Sequence, residues 1–258
     1  MAQDYFQLQG QTALVTGASS GLGAHFARVL SAAGARVVLA ARRRDKLAEQ
    51  VDALRAAGAE AGAITLDVTS PDSVAAAFAE LERDWGQLDI LINNAGVASD
   101  PIKFLDTTEP DWYHIIETNL NGAWRVAQAG AKHMTRSGNG GSIVNIGSIY
   151  GLHTGVLKAA YNVSKTGVVQ LTKSMAMELC RQNIRVNALC PGWFLTDINS
   201  DYFRTESGER YIRTIPARRM GELEELSVPL LLLASRAAGG YMNGSVLTVD
   251  GGMVESPV

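Results

Sequence analysis

The feature that most restricts the fold of this chain is a series of seven short, nearly continuous apolar segments. They are rich in Val, Ile, Leu and Ala, and they lie at 12–16, 36–40, 63–66, 88–92, 142–146, 184–189 and 245–249. Strands that are covered on both faces have this pattern, whereas strands with one solvent face alternate apolar and polar residues. The sequence therefore predicts a seven-stranded parallel sheet with helices on both faces.

Stretches with helical patterns separate these segments, at about 21–33, 43–57, 71–85, 110–136, 155–181 and 222–235. Ser70 followed by Pro71 is typical of a helix start, and Gly34, Gly58 and Gly86 stand where helices are expected to end. Strands and helices that alternate in this way predict right-handed crossovers and a doubly wound, Rossmann-type α/β fold. Since no linker or repeat divides the chain, we expect a single domain over 1–258.

One long segment, 197–220, has no clean periodicity. Its length favours a substrate lid or binding loop within the domain. A helical insertion with a weak pattern is the alternative.

Composition excludes several classes of function. The formal net charge is −3, which disfavours a protein that binds nucleic acid. No apolar stretch approaches the roughly 20 residues of a membrane span, and residues 1–10 do not resemble an export signal. Cys180 and Cys190 are too few for a disulfide framework, so we expect two buried, reduced thiols. These features predict a cytoplasmic protein, and we predict no metal site.

A glycine-rich turn, TGASSGLG at 16–23, joins the first strand to the first helix. Glycines allow the backbone to approach a pyrophosphate closely, and the helix N-terminus presents unpaired N–H groups to the anion. This context favours a dinucleotide site over an ordinary strand-to-helix turn. The predicted cofactor-binding residues of this turn are Gly17, Ser19, Ser20, Gly21, Leu22 and Gly23.

The end of the second strand indicates which dinucleotide binds. NAD-binding proteins usually place an acid there, but this chain has Arg42, Arg43 and Arg44, with no acid before Asp45. Positive side chains oppose the dipole at a helix start, and a bound phosphate would relieve that conflict. We therefore predict NADP(H), with Arg42 on the 2′-phosphate. A solvated basic helix start is the alternative.

Tyr161 and Lys165 are four residues apart and share one face of a predicted helix, and Ser148 ends a predicted strand. Reduction of a carbonyl requires a proton at oxygen, and a free tyrosine, with a pKa near 10, exchanges its proton poorly at neutral pH. An ammonium group about 5 Å away contributes about 3 kcal/mol, or roughly two pKa units, before burial opposes it. We therefore expect Lys165 to lower the pKa of Tyr161, and we expect the Ser148 hydroxyl to orient the substrate oxygen.

These motifs occur together in a recognisable order. The glycine turn, Asn-Asn-Ala-Gly at 93–96, Asn119, Ser148, the Tyr161/Lys165 pair and Pro191-Gly192 resemble the short-chain dehydrogenase/reductase family over about 11–252.

The resemblance implies a role for each matching residue. Tyr161 would be the acid/base, Ser148 the donor to the substrate oxygen, Lys165 the modulator that also holds the nicotinamide ribose, and Asn119 the holder of a water in a proton relay. Further cofactor contacts are implied at Asp67, Val68, Asn94, Ala95, Gly96, Pro191, Gly192 and Thr196. An N-cap role for Asp67, and a helix-kink role for Asn119, are the alternatives. Phe194 departs from the β-branched residue that many members have there.

The predicted substrate pocket is mostly apolar or aromatic, which favours a medium-sized hydrophobic alcohol or ketone. Its expected lining is Ile149, Tyr150, His153, Val156, Trp193 and Phe194, with Tyr202, Phe203 and Tyr211 covering it from the lid. The resemblance and the chemistry together predict an NADP(H)-dependent oxidoreductase that interconverts a secondary alcohol and a ketone.

Two alternatives stay open. The first is a 3-oxoacyl thioester reductase, whose acidic carrier would require basic residues such as Arg125, Lys132 and Arg136. The second is a non-catalytic nucleotide sensor on the same fold. Apolar surface on the two longest helices, and the family resemblance, predict a homotetramer.

Overall fold

The computed structural model describes residues 4–195, 203 and 205–255. Its strands form one sheet in the order β3-β2-β1-β4-β5-β6-β7, and all neighbouring strands are parallel. The strands are β1 Thr12–Thr16, β2 Arg36–Ala41, β3 Ala61–Thr65, β4 Ile90–Asn93, β5 Gly141–Ile146, β6 Ile184–Pro191 and β7 Val246–Val249. The predicted doubly wound, Rossmann-like fold is confirmed.

Helices connect the strands as the sequence pattern predicts. They are α1 Gly21–Ala32, α2 Arg44–Ala56, α3 Pro71–Trp85, α4 Glu109–Ile116, α5 Gly122–Ser137, α6 Ala159–Leu179, α7 Glu206–Ile212, α8 Ser227–Ala234 and α9 Arg236–Gly239. Ser70 caps α3, since its side chain accepts a hydrogen bond from the N–H of Ser73. No described helix is long and apolar enough to cross a bilayer.

Two apolar cores lie on opposite faces of the sheet. On one face, α1, α2 and α8 bury Phe26, Val51 and Leu230. On the other, α3 and α5 bury Phe78 and Met134. Because both faces are covered, nearly every residue of the central strands is buried, and this is why those strands are apolar throughout.

Three predictions about local structure need correction. The stretch predicted as one helix over 110–136 contains a π-helical turn at Glu117–Asn121, between α4 and α5. The stretch at 222–235 begins with a 3₁₀ turn, Leu223–Leu226. Cys180 is exposed because it follows the end of α6, and only Cys190 is buried.

The strand order reverses beside β1, which pairs with β2 on one side and β4 on the other. A crevice forms at the carboxyl ends of parallel strands where the order reverses, and ligands of such sheets bind there. The residues that follow β1, β2, β3, β4, β5 and β6 therefore meet at one edge of the sheet. Most of the motifs singled out in the sequence come soon after one of these strands or at the start of α6, whereas Asn119 lies in the π turn between α4 and α5.

Candidate active site

The glycine turn packs directly against the residues that follow β4. A Cβ atom on Gly17 would lie 2.9 Å from the Cα of Ala95, and one on Gly23 would lie 2.4 Å from the carbonyl oxygen of Gly17. The amide of Asn94 donates to the carbonyl of Thr16 at 2.8 Å. A side chain at either glycine would displace backbone, so the turn keeps the close approach that a pyrophosphate requires.

A groove of about 250 Å³ extends from this turn to the ends of β2 and β3. Its lining includes Gly17, Ser19, Ser20, Arg42, Arg43, Asp67, Val68, Ala95 and Gly96. Most of the predicted cofactor residues on the adenosine side therefore share one groove. At one end, it carries two guanidinium groups.

The structure adds Arg43 to the predicted site. Its guanidinium donates to the hydroxyls of Ser19 at 2.8 Å and Ser20 at 3.0 Å. Arg43 therefore lies directly over the glycine turn, whereas Arg42 lies beside Asp67. The run of three arginines was the available signal, but the sequence could not show which of them turn toward the groove.

Asp67 holds a local turn instead of capping α3. One carboxylate oxygen accepts from the N–H of Thr69 at 2.9 Å and from its hydroxyl at 2.7 Å. These hydrogen bonds lower the pKa of Asp67, and the charge of Arg42 lowers it further. The N-cap alternative is wrong, because Ser70 fills that position.

A second groove, of about 300 Å³, shares Gly17, Ser20 and Gly96 with the first and continues across the sheet edge. Its lining includes Gly21, Leu22, Gly23, Asn94, Ser148, Tyr161, Lys165, Pro191 and Gly192. These features fit a bound dinucleotide that carries phosphate groups. The two grooves are contiguous, neighbouring atoms fill the Cβ positions of the glycines, and cations lie at one end. The described residues are therefore compatible with the implied cofactor.

The side chains predicted as catalytic meet at the far end of this second groove. Lys165 is buried, its ammonium group donates to the carbonyl of Ile146 at 3.0 Å, and it lies 5.7 Å from the centre of the Tyr161 ring. The Ser148 hydroxyl forms a hydrogen bond with the phenol of Tyr161. Ser148 also accepts from the N–H of Tyr150 at 3.2 Å and so begins a 3₁₀ turn, which fixes its side chain.

The expectation that Lys165 lowers the pKa of Tyr161 is wrong for the protein without cofactor. Burial raises the pKa of Tyr161, and only the hydrogen bond from Ser148 opposes it. Burial also lowers the pKa of Lys165 to about 8. Desolvation, and not attraction to Lys165, therefore decides the direction of the pKa shift, and Tyr161 carries its proton at neutral pH.

Asn119 lies in the π turn, where it is buried. Its amide donates to the carbonyl of Val97 at 2.9 Å, and its oxygen accepts from the N–H of Val97 at 2.7 Å. The side chain thus clamps the segment that follows β4, beside Gly96, instead of pointing an unused amide into the groove. π turns of this kind frequently occur at functional sites.

A smaller pocket of about 130 Å³ adjoins the second groove, and Ser148 and Tyr161 line both. Its other lining residues are Ala98, Ser99, Ile149, Tyr150, Lys158, Gly192 and Trp193. The predictions of Ile149, Tyr150 and Trp193 agree with this lining. Ser99 and Lys158 were missed, although Lys158 stands three residues before Tyr161, one helical turn away.

Three residues predicted for the pocket lie elsewhere. Phe194 is buried in the core beside Gly221, whose Cβ would lie 2.4 Å from the Phe194 ring. Val156 is 83% exposed, and neither it nor His153 lines the pocket. Phe194 points inward because it pairs with Gly221 in an isolated bridge, which directs alternate side chains to opposite faces.

The segment predicted as a lid packs aromatic residues over Trp193. The Trp193 ring lies 5.4 Å from both Phe203 and Tyr211, and its indole N–H donates to the Tyr211 hydroxyl at 2.8 Å. The Tyr211 hydroxyl also lies 3.2 Å from that of Tyr150. Thr196 and Tyr202, both named in the sequence analysis, lie outside the described residues.

Comparison with known proteins agrees with this geometry. A family model described as enoyl-(acyl carrier protein) reductase matches residues 17–254. Gluconate 5-dehydrogenase of Gluconobacter oxydans is 39% identical over 255 residues, which cover 98% of each chain. The crystal structure of a gluconate 5-dehydrogenase from Burkholderia cenocepacia, in complex with NADP and tartrate, is 36% identical, covers all of both chains and has a TM-score of 0.94.

A third relative bears the family name itself. The crystal structure of a short-chain type dehydrogenase/reductase from Mycobacterium marinum is 38% identical, covers 97% of this chain and 98% of its own, and has a TM-score of 0.91. Similarity of this extent includes the glycine turn, the ends of the strands and the start of α6. The chain therefore belongs to the short-chain dehydrogenase/reductase family of oxidoreductases.

Proposed function

We propose that this oxidoreductase uses NADP(H) to interconvert a secondary alcohol and a ketone, with Tyr161 as its general acid and base. The observation that carries the proposal is the position of Ser148 and Tyr161, which line both the dinucleotide groove and the smaller pocket. A substrate oxygen in the smaller pocket would therefore meet both hydroxyls beside the groove. The bound cofactor supplies the hydride that adds to the carbonyl carbon.

The residues of the chain account for the proton. In the reducing direction, Tyr161 gives its proton to the carbonyl oxygen while the Ser148 hydroxyl donates a hydrogen bond to the same oxygen. Burial keeps Tyr161 protonated at neutral pH, which suits it to act as the acid. In the oxidising direction the phenolate takes the alcohol proton, and the charge of Lys165, 5.7 Å from the ring, stabilises that phenolate.

Asn119 has an indirect part in this proposal. Its side chain is committed to Val97, so a relay water held by Asn119 would have to bind its backbone. The clamp also holds the segment after β4 beside Lys165. The approach is close, since a Cβ atom on Gly96 would lie 3.2 Å from the Asn119 oxygen and 3.7 Å from the Lys165 nitrogen.

The preference for NADP(H) rests on the two arginines at the adenosine end. Arg42 is exposed beside the groove, and Arg43 can exchange its bonds to Ser19 and Ser20 for bonds to a phosphate. No acid stands at the end of β2 to accept a ribose hydroxyl. The Burkholderia relative, solved with NADP, agrees with this preference.

The 3-oxoacyl thioester alternative has less support. Of the three basic residues suggested for an acidic carrier, Arg125 pairs with Glu117 and Arg136 pairs with Glu82 at 3.0 Å. Paired guanidinium groups attract a carrier less than free ones. The sensor alternative is not retained, because the chain belongs to a family of enzymes and holds Ser148, Tyr161 and Lys165 together.

We also propose a cytoplasmic homotetramer. Exposed apolar side chains lie on the helices predicted to form its interfaces, with Tyr113 61%, Trp124 47% and Met177 79% exposed. Large exposed apolar side chains grouped on helices favour association. Residues 197–220 would cover the substrate as a lid, and Tyr211 ties the described part of that segment to Trp193 and Tyr150.

Oxidation of NADPH and NADH, followed at 340 nm with a panel of ketones, tests the proposal. We expect Tyr161→Phe to lower turnover at least a hundredfold and to leave the affinity for NADPH within a few-fold of the parent value, because only the hydroxyl that carries the proton is removed. The matched control, Tyr5→Phe, changes an exposed phenol outside both grooves and should keep its activity. Substantial turnover by Tyr161→Phe would contradict the proposal.

A further inference from the structure

The smaller pocket contains a cation that the proposed reaction does not use. Lys158 lines this pocket together with Ser99, Ser148, Tyr161 and Trp193. It immediately precedes α6 and stands one helical turn before Tyr161, so the catalytic phenol and the ammonium group belong to the same stretch of backbone. A substrate whose reacting carbon lies at Tyr161 would thus have a neighbouring part within reach of Lys158.

The ammonium group of Lys158 is only partly satisfied. Its nitrogen donates one hydrogen bond, to the carbonyl of Ser99 at 2.8 Å, and an ammonium group has three donors. Among residues 4–195, 203 and 205–255, no carboxylate forms an ion pair with it, and the acid that acts on it electrostatically is Asp100, an exposed residue. Burial lowers the pKa of Lys158, so the protein bears a cost for keeping this cation at the pocket.

Ser99, which lines the same pocket, carries a second unsatisfied polar group. The hydroxyl oxygen of Ser99 is buried and has no hydrogen-bond partner within the part of the chain that the structure describes. A buried hydroxyl without a partner is unfavourable, and a ligand oxygen would supply the missing hydrogen bond. Lys158 therefore has two unused N–H groups at the pocket, and the unpartnered hydroxyl of Ser99 lies in the same wall.

We propose that Lys158 and the Ser99 hydroxyl bind the carboxylate of a small hydroxy acid, whose secondary alcohol then reaches Ser148 and Tyr161. This inference rests on the proposed alcohol–ketone chemistry and specifies its substrate class. A carboxylate offers acceptors for both groups and neutralises the charge of Lys158. The hydrophobic alcohol suggested by the apolar lining would leave the cation and the hydroxyl unpaired.

One named relative agrees with an acidic substrate. The Gluconobacter protein is named for gluconate, which is a small hydroxy carboxylate.

A purely structural role is the competing explanation. Lys158 ties the segment after β4 to the start of α6, and a backbone hydrogen bond from Ile102 to Leu157, at 3.0 Å, makes a second such tie. If Lys158 acted only as a tie, its loss would affect charged and neutral substrates equally. The experiment therefore compares two substrates that differ only in charge.

D-Gluconate and D-gluconamide form such a pair, and the quantity measured is the ratio of their kcat/KM values with NADP⁺. We expect Lys158→Met to lower the ratio of acid to amide by about 10- to 100-fold, the range for a hydrogen bond to a charged group. Lys158→Arg should restore most of the ratio. Lys103→Met removes a nearby exposed charge outside the pocket and should leave the ratio unchanged. An unaltered ratio in Lys158→Met overturns the assignment.

A binding measurement keeps this test separate from the proposed reaction. Calorimetry with tartrate, in the presence of NADP⁺ and in the Tyr161→Phe background, reports carboxylate binding without turnover. We expect at least tenfold weaker binding when Lys158→Met is added, and a smaller loss when Ser99→Ala is added. Binding that depends on Lys158, together with a parent protein that shows no dehydrogenase activity, would refute the proposed reaction alone. Turnover of neutral alcohols with tartrate binding insensitive to Lys158 would refute the carboxylate site alone.

Discussion

The burial of Lys165 has a measurable consequence for stability. Folding buries its ammonium group with one hydrogen bond, to the carbonyl of Ile146, and lowers its pKa from 10.5 to about 8. Lys165→Met keeps a long, unbranched side chain of similar helix propensity and removes the charge. We therefore predict that this variant has a higher free energy of unfolding than the parent protein at pH 7, although it should be inactive.

The magnitude follows from linkage between proton binding and folding. A pKa difference of roughly 2.5 units corresponds to about 3 kcal/mol, because each unit is worth 1.36 kcal/mol. Loss of the hydrogen bond to Ile146 removes about 1 kcal/mol of this gain. The expected increase in the free energy of unfolding at pH 7 is therefore about 2 kcal/mol, or roughly 4–8 °C in Tm for a domain of this size.

The sign changes with pH in a defined way. Between pH 8 and 10.5 the unfolded chain binds more protons at Lys165 than the folded protein, so the stability of the parent protein rises with pH in that window. The advantage of Lys165→Met is complete below about pH 8 and has nearly disappeared at pH 10. All other titrating groups are shared by the two proteins, so their effects cancel in the difference.

Urea unfolding at equal protein concentration, without cofactor, at pH 7 and pH 10, measures this difference. Lys173→Met is the matched control, because Lys173 is exposed on the same helix and its loss should change stability by less than about 0.5 kcal/mol. The reasoning is refuted if Lys165→Met is destabilised at pH 7, or if its difference from the parent protein is the same at both pH values.

Four further predictions concern the cofactor groove and the assembly. Arg42→Ala should weaken NADPH binding by about 10- to 100-fold and NADH binding far less, by fluorescence titration; equal losses would contradict a 2′-phosphate contact. Arg43→Ala should weaken NADPH binding less, because Arg43 must first release its serine partners on the glycine turn. Gly23→Ala should abolish dinucleotide binding in the same titration, since its Cβ would lie 2.4 Å from the Gly17 oxygen, and native-like affinity would contradict the close packing. Trp124→Glu should convert the proposed tetramer to smaller species in light scattering, whereas a parent protein that is already monomeric would refute the assembly.

Much of the fold could be predicted because the relevant information is local. Apolar segments with turn residues at both ends define strands, and parallel strands separated by helices permit few topologies. The seven strands and their order in the chain follow from this pattern alone. The predicted ends of β3 and β6 differ from the observed ends, because the last residues of a strand depend on how neighbouring strands pair.

The candidate site likewise contains residues whose positions the sequence predicts and residues whose positions it does not. The glycine turn, Ser148, and the pair Tyr161 and Lys165 are recognisable because their spacing along a strand end or a helix limits where they can lie. Phe194 and Lys158 show the opposite case, since both are close in sequence to the site. The sequence does not show that Phe194 turns into the core beside Gly221, or that Lys158 lines the substrate pocket.

The class of fold, the dinucleotide turn and the chemical identity of the groups that handle the proton thus follow from the amino-acid sequence alone. Periodicity and short-range spacing are properties of the chain, and no tertiary contact is needed to read them. Two further properties come from the packing of the folded chain: burial raises the pKa of Tyr161 and lowers that of Lys165, and Lys158 and Ser99 line the same pocket. Desolvation and proximity depend on which distant segments pack together, and no local pattern records that.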